Sequence, residues 1–306
     1  KDLIIDIGSN DGNLLNNFKQ HHKVLGITPE KIGKIAIKRG INTLIRYFDS
    51  TASKLVLKKY GKAKIITATN VFAHIENVND LMKNIINLLG KGGVFISESH
   101  YLVSLIQTNQ YDTIYHEHLR YYSLTSLKYL LKKYGMEIIH AKKINTHGGS
   151  IRVYAAKKGE FKIKKSVIKI LNYEKKFLNW KTFNNFKNKV VNSKIKLYEI
   201  LKKLKNKNKK IYGIGAPSRA STLINYIGLD ENIIDCVLEI DGSHKIGNYI
   251  PGKKIPILPE KKLYKEPPDF VILFSWHIAS ELKLNLKKKG YRGKFIIPLP
   301  HPRIEN

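Results

Sequence analysis

From Leu3 to about Lys157, short β-branched runs alternate with longer stretches whose apolar residues recur at helical spacing. This is the pattern of a parallel sheet covered by helices. The pattern predicts strands over Leu3–Ile7, Lys23–Ile27, Asn42–Arg46, Lys64–Ala68 and Gly93–Glu98. Two further strands, Glu137–Lys142 and Ser150–Ala156, are joined by a link containing Gly148 and Gly149. The link is short for a helical crossover, so these two strands are expected to pair antiparallel.

Between Phe161 and Lys210 the chain is rich in Lys and Asn. Val167, Ile170, Leu171, Phe177, Leu178, Phe183 and Phe186 recur there at helical intervals, which predicts one or two connecting helices. A second alternation follows. It comprises strand Ile211–Ile214, a Gly-Ala-Pro-Ser turn, helix Ser221–Tyr226, and strands Ile233–Glu239, Phe270–Phe274 and Lys294–Pro298. The expected organisation is an α/β domain over residues 1–160, a helical linker over 161–209 and a smaller Rossmann-like α/β domain over 210–306.

A chain of 306 residues with 42% hydrophobic content can build a packed core in each domain. The formal net charge of +31 comes chiefly from lysines scattered over helix faces, such as Lys202, Lys203, Lys205, Lys207, Lys209 and Lys210. They lack the arginine-rich, aromatic-interleaved stripes that grip nucleic acid, so no nucleic-acid partner is expected. The same charge can help to attract a diphosphate. Cys236 is the only cysteine, which excludes an intrachain disulfide and a cysteine-rich zinc site, and no metal is expected within the chain. A reducing, cytoplasmic location fits. No run of about 18 apolar residues predicts a membrane span. The chain starts without Met and runs almost at once into an apolar strand, so an upstream segment is expected to be missing.

Chemistry concentrates first at Leu3-Ile-Ile-Asp-Ile-Gly-Ser-Asn-Asp-Gly-Asn-Leu-Leu15, an apolar strand, a glycine loop and a helix start. Gly8 lets the backbone turn off the strand and approach a ligand, and the following helix presents unpaired N–H groups. Asp6 at the strand end suits a cationic or hydroxyl-rich ligand. Ser9, Asn10 and Gly12 complete the candidate loop, although a tight turn in another α/β fold would read alike. After the second strand, Thr28 stands where a carboxylate usually takes ribose hydroxyls. Either its hydroxyl substitutes or Glu30 reaches back. After the fourth strand, Asn70 can read an adenine edge while Phe72 stacks on its face; His74 reads as helix-entry packing.

The densest chemistry lies in Asn109-Gln-Tyr-Asp-Thr-Ile-Tyr-His-Glu-His118 and in Thr146-His-Gly-Gly-Ser-Ile-Arg-Val153. Directly after the fifth strand, such a set of Tyr, His and Glu falls beside the ligand-binding end of the sheet. A strand and glycine turn recur at Tyr212-Gly-Ile-Gly-Ala-Pro-Ser-Arg219, whose donors and Arg219 can hold phosphate, with Tyr249 and Trp276–His277 as further candidates. A packed turn explains the same segment.

These blocks, with the Asp-Ile-Gly-Ser-Asn-Asp-Gly opening, the Asn-Val-Phe-Ala-His segment, Tyr249-Ile-Pro-Gly252 and Phe295-Ile-Ile-Pro-Leu-Pro300, resemble the nucleotide-sugar C-methyltransferases of deoxysugar pathways. The resemblance covers almost the whole chain. It implies a Rossmann-like class I methyltransferase domain, S-adenosylmethionine (SAM) as cofactor, and a nucleotide-diphosphate keto sugar as the substrate methylated next to its ketone. Carried over by position, it implies His118 as general base supported by Tyr115 and Glu117, with His116, His147, Gly149 and Arg152 as sugar-side contacts. For His147 a hairpin-turn role stays equally open. The family also carries an N-terminal zinc-binding domain with cysteine pairs, which is not among these residues. Two other readings remain. An NAD-dependent sugar oxidoreductase would need a third glycine in the fingerprint and an acidic ribose ligand, and a catalytically inactive derivative of the methyltransferase would not need the Tyr-His-Glu-His block.

Overall fold

The computed structural model describes residues 1–306, which form two compact units. The first comprises residues 1–104 and 117–179, the second residues 105–116 and 180–306. The helical stretch expected as a linker is divided between the two units at residues 179 and 180. The helix Lys165–Phe177 sends Val167 and Ile170 into the first unit's core, and the helix Trp180–Lys205 sends Leu197 and Leu201 into the second's.

The first unit is built on β1 (Leu3–Ile7), β2 (Lys23–Thr28), β3 (Thr43–Ile45), β4 (Ala63–Thr69), β5 (Leu89–His100), β6 (Met136–Ile144) and β7 (Ser150–Lys157). Their order is β3-β2-β1-β4-β5-β7-β6. The pairs among β1 to β5 are parallel, and β7 runs antiparallel to both β5 and β6. Strand order reverses between β1 and β4, which opens a crevice at the carboxyl ends of those strands, where open α/β sheets bind ligands.

Alternation along β1 sends Leu3, Ile5 and Ile7 to one face and Ile4 and Asp6 to the other. On the first face they join a core closed by residues such as Val56, Leu81, Met82, Leu127 and Ile170 from four helices. On the second face the helices Asn13–Asn16 and Gly33–Lys38 cover only a small cluster of Ile4, Leu15, Val24, Ala36 and Ile41. Beyond them lies a cavity of about 440 Å³ lined by residues that include Asp6, Thr67, Ile96, Arg152 and Tyr154.

Glu174 ties the helix Lys165–Phe177 to this unit. Its buried carboxylate accepts from the Leu124 and Thr125 amides at 2.6 and 2.8 Å, the Thr125 hydroxyl at 2.6 Å and the Tyr101 hydroxyl at 2.8 Å. It thereby caps the helix Leu124–Lys133, and burial together with this carboxylate pushes the Tyr101 hydroxyl pKa well up. Glu174→Ala leaves the buried Leu124 amide and Tyr101 hydroxyl orphaned. It is expected to destabilise the first unit by roughly 2–4 kcal/mol. An unchanged urea midpoint for that unit's circular dichroism would contradict the assignment.

The second unit has β8 (Ile211–Ile214), β9 (Cys236–Glu239), β10 (Ile257–Pro259), β11 (Phe270–Leu273), β12 (Lys294–Ile297) and β13 (Arg303–Glu305) in the order β10-β9-β8-β11-β12-β13. All pairs are parallel except β12 with β13. β10 and β13 were not expected, since three-residue strands carry too little alternation to stand out. The helix after β8 spans Ser218–Ile227, one turn longer at its start than the sequence pattern indicates. No helix of the chain is long and apolar enough to cross a membrane.

Candidate active site

The glycine loop leaves β1 with Gly8 at φ 77°, Asn10 at φ 48° and Gly12 at φ 76°. A side chain at Gly8 would strike Val71, its Cβ lying 2.2 Å from Val71 Cγ2, so the β1 loop and the loop after β4 close on each other here. The Gly8 and Ser9 amides both turn to the Ile27 carbonyl, at 2.7 and 3.3 Å. Gly12 serves packing instead of a ligand: a Cβ there would fall 2.7 Å from Ile41 Cδ1 and 2.8 Å from Ala36 Cβ. Asn10 is exposed, and the buried Ser9 Oγ has no hydrogen-bond partner.

Asp6 lies beneath this loop, 4% exposed, and accepts from the Thr67 hydroxyl at 2.5 Å. Burial raises its pKa to about 7, against the opposing effect of the Thr67 bond. The folded protein therefore holds a proton that the unfolded chain releases near 3.8, and stability falls as pH rises from about 4 to about 7. Asp6→Asn removes that penalty. The variant is expected to match the wild type near pH 4 and to exceed it above pH 7 by roughly 2–4 kcal/mol. Urea midpoints at the two pH values test this, and an equal difference at both would refute the buried-acid account. A ligand carrying positive charge over the loop favours the ionised carboxylate. An orphaned buried hydroxyl, a buried acid and a backbone open at Asn10 together fit SAM, with its sulfonium and ammonium groups.

Two expected cofactor contacts are corrected. Thr28 is 1% exposed, with its hydroxyl facing the Glu30 amide at 3.4 Å and its methyl against Gly33. Glu30, exposed at the same turn, is the carboxylate that remains available for ribose hydroxyls. Phe72 is fully buried between Phe95 and Tyr122, with centroids 5.8 and 5.5 Å away, so it has no face to offer an adenine. Asn70, at φ 56°, stays half-buried at the end of β4, its amide bonded to the Glu98 carbonyl at 2.8 Å.

At the carboxyl ends of β4 and β5 four imidazoles converge. His118 is 9% exposed, and its ring centroid lies 5.0 Å from His74 and 4.9 Å from His100, both edge-on. His100 in turn lies 5.8 Å from His147, which sits in the left-handed region at φ 52° on the β6–β7 turn. The His118 segment is pinned to the loop that carries His74. The Leu119 amide donates to the Ala73 carbonyl at 3.0 Å, and Arg120 donates to the carbonyls of Ile75 and Glu76 at 2.5 and 2.8 Å. His74 is thus part of the cluster and not merely helix-entry packing. His100 and Arg120 were not singled out from the sequence; the usable signal was their place, at the last residue of β5 and two residues after His118.

The rest of the candidate set divides. Glu117 is exposed and belongs to the first unit with His118, while half-buried Tyr115 and exposed His116 belong to the second. Arg152 is engaged by buried Glu98, its Nε at 2.7 Å and Nη2 at 2.6 Å from Oε2, while the Thr146 hydroxyl donates to Oε1 at 3.0 Å. Its role is to hold that carboxylate and the hairpin turn. Gly149, at φ 118°, makes room for Ser104, whose Cβ would lie 2.5 Å from an added Cβ, so it is a packing residue. In the second unit Tyr249 is 61% exposed. Arg219 is not a free phosphate cation: Nε and Nη2 donate to Asp112 at 2.8 and 2.9 Å, and it lies 5.1 Å from the Trp276 ring.

Residues 2–141 match a methyltransferase domain family, and residues 145–300 match the family described as C-methyltransferase C-terminal domain. The C-methyltransferase NovU of Streptomyces niveus is 30% identical over 309 residues, covering 99% of this chain and 73% of that protein. Among solved structures, a putative SAM-dependent methyltransferase of Listeria monocytogenes aligns at 13% identity and TM-score 0.40, over 51% of this chain and 91% of its own. A SAM-dependent methyltransferase of Clostridium acetobutylicum aligns at 18% identity and TM-score 0.41, over 52% and 85%. The sheet order and the family matches together give the first unit the Rossmann-like class I methyltransferase fold. The chain belongs to the C-methyltransferase family and is a SAM-dependent methyltransferase that acts on carbon.

Proposed function

We propose that this enzyme, working in the cytoplasm, methylates the carbon next to the ketone of a nucleotide-linked keto-deoxysugar through an enolate, with His118 as general base. The observation that carries the proposal is a buried imidazole, flanked by two others, at the carboxyl ends of β4 and β5 beside the loop that closes on Gly8.

A ketone acidifies the neighbouring C–H, and an imidazole that titrates near neutrality can take that proton. The electron pair stays on the sugar as the enolate. SAM, when bound, supplies an electrophilic methyl group. Glu117 orients the imidazole and the enolate oxygen, with His147 on the sugar side. The fixed positions of the Gly8 loop and of His118 favour in-line attack by holding the reacting groups in one geometry.

The test is transfer of a tritiated methyl from SAM to a panel of nucleoside-diphosphate 4-keto-deoxysugars. Label is expected on the sugar carbon next to the ketone and none on the corresponding 4-hydroxy sugars, which lack an acidified C–H. Transfer to an oxygen, or to no keto sugar at all, would overturn the proposal.

A further inference from the structure

The imidazole cluster extends beyond what proton abstraction requires. A base that takes one proton per turnover must also lose it, and His118 is too buried to do so freely into water. Its two imidazole neighbours stand at the carboxyl ends of adjacent strands. His74, itself exposed, follows β4, the strand beside β1 and the Gly8 loop. A proton parked there would stand on the side of the cofactor's positive charge, which disfavours it. His100 ends β5, and its partner in register is Ser150 at the start of β7. Past it lies His147, exposed on the β6–β7 turn. The succession His118, His100, His147 therefore leads away from the cofactor loop and ends at solvent.

The spacings suit such a path. At centroid separations of 4.9 and 5.8 Å, a nitrogen of one ring can meet a nitrogen of the next directly or through one water. The path is also held in place. His100 stands on a paired strand, and the turn carrying His147 is tied down by the Thr146 hydroxyl on Glu98 and by the Gly149 carbonyl, which accepts from the Tyr101 amide at 3.1 Å.

We infer that His100 is a positioning residue that carries the proton from His118 to His147 and so resets the base after each turnover. The inference rests on the assignment of His118 as base. His118 takes the proton from the sugar C–H, and the pair left on carbon forms the new bond to methyl. The imidazolium of His118 then gives a proton to one nitrogen of His100, the other nitrogen of His100 gives its proton to His147, and His147 releases one to water. Each transfer leaves the donor ring neutral, so one proton leaves the protein per methyl transferred.

The test compares His100→Gln and His147→Asn with the wild-type chain in steady-state transfer to a keto sugar that accepts methyl. Asparagine tolerates the left-handed backbone at position 147, so that variant keeps the turn even if the substitution at the half-buried strand end does not fold. In both variants kcat is expected to fall by about 10- to 100-fold. SAM affinity in both variants, and KM in His100→Gln, should stay near wild type, and added imidazole buffer should restore part of the rate by accepting the stranded proton. The wild type should show no such dependence. Unchanged kcat in both variants, a loss that no buffer restores, or buffer-dependent loss confined to His74→Asn would overturn the relay. A wild type that labels none of the panel removes the base assignment itself, a result distinct from an active wild type indifferent to His100 and His147.

Discussion

His118→Ala is expected to lower the single-turnover rate of methyl transfer by about 10³-fold while leaving SAM binding near wild type. The asymmetry follows from location. On the proposed assignment SAM is held by the loop after β1 and the turn after β2, whereas the His118 segment is pinned to the loop after β4 through Arg120 and the Leu119 amide. Removing the imidazole deletes a proton acceptor and leaves the glycine loop intact. On the proposed assignment the substrate C–H then has no positioned base, and water cannot match an imidazole held against it. Calorimetric titration with SAM and rapid-quench transfer, on the same protein, separate the two effects. If affinity for SAM collapses while bound substrate still turns over normally, His118 is a structural residue and the base lies elsewhere. Full activity of the alanine variant would likewise place the base on another residue.

Much of this site was legible in the sequence because its chemistry is local to short segments. The strand–glycine–helix order at Leu3–Leu15 places Asp6 and Gly8 wherever the chain folds as α/β, and the hairpin was readable from a link too short for a crossover. What could not be read was which way a side chain turns. Phe72 and Thr28 fall at the right strand ends, yet their side chains are buried, and residue order alone does not distinguish a ring facing a ligand from one facing Phe95. The same holds for Arg219. A basic residue after a glycine turn resembles a phosphate ligand until its partner, 107 residues away in sequence, is known. Helices 165–177 and 180–205 read as a linker because their lysines conceal narrow apolar stripes, each of which serves a different core.

Asp112→Ala is expected to destabilise the second unit by about 3–5 kcal/mol, the cost of leaving a buried charge without its partner. Asp112 is 1% exposed and accepts three charge-assisted or indole hydrogen bonds, from Arg219 Nε and Nη2 and from Trp276 Nε1 at 2.8 Å. Alanine strands the guanidinium of Arg219, itself 8% exposed, and orphans the Trp276 indole. Both tryptophans of the chain, Trp180 and Trp276, lie in the second unit, so their fluorescence during urea unfolding reports on that unit without interference from the first. The decisive variant is the double replacement Asp112→Ala with Arg219→Met. If the cost arises from an uncompensated charge, removing the second partner returns a large part of the loss, and the two substitutions are strongly non-additive. Additive losses would instead mean that each side chain acts through its own packing. The ion pair would then be incidental to holding the segment 105–116, and with it Tyr115, in the second unit.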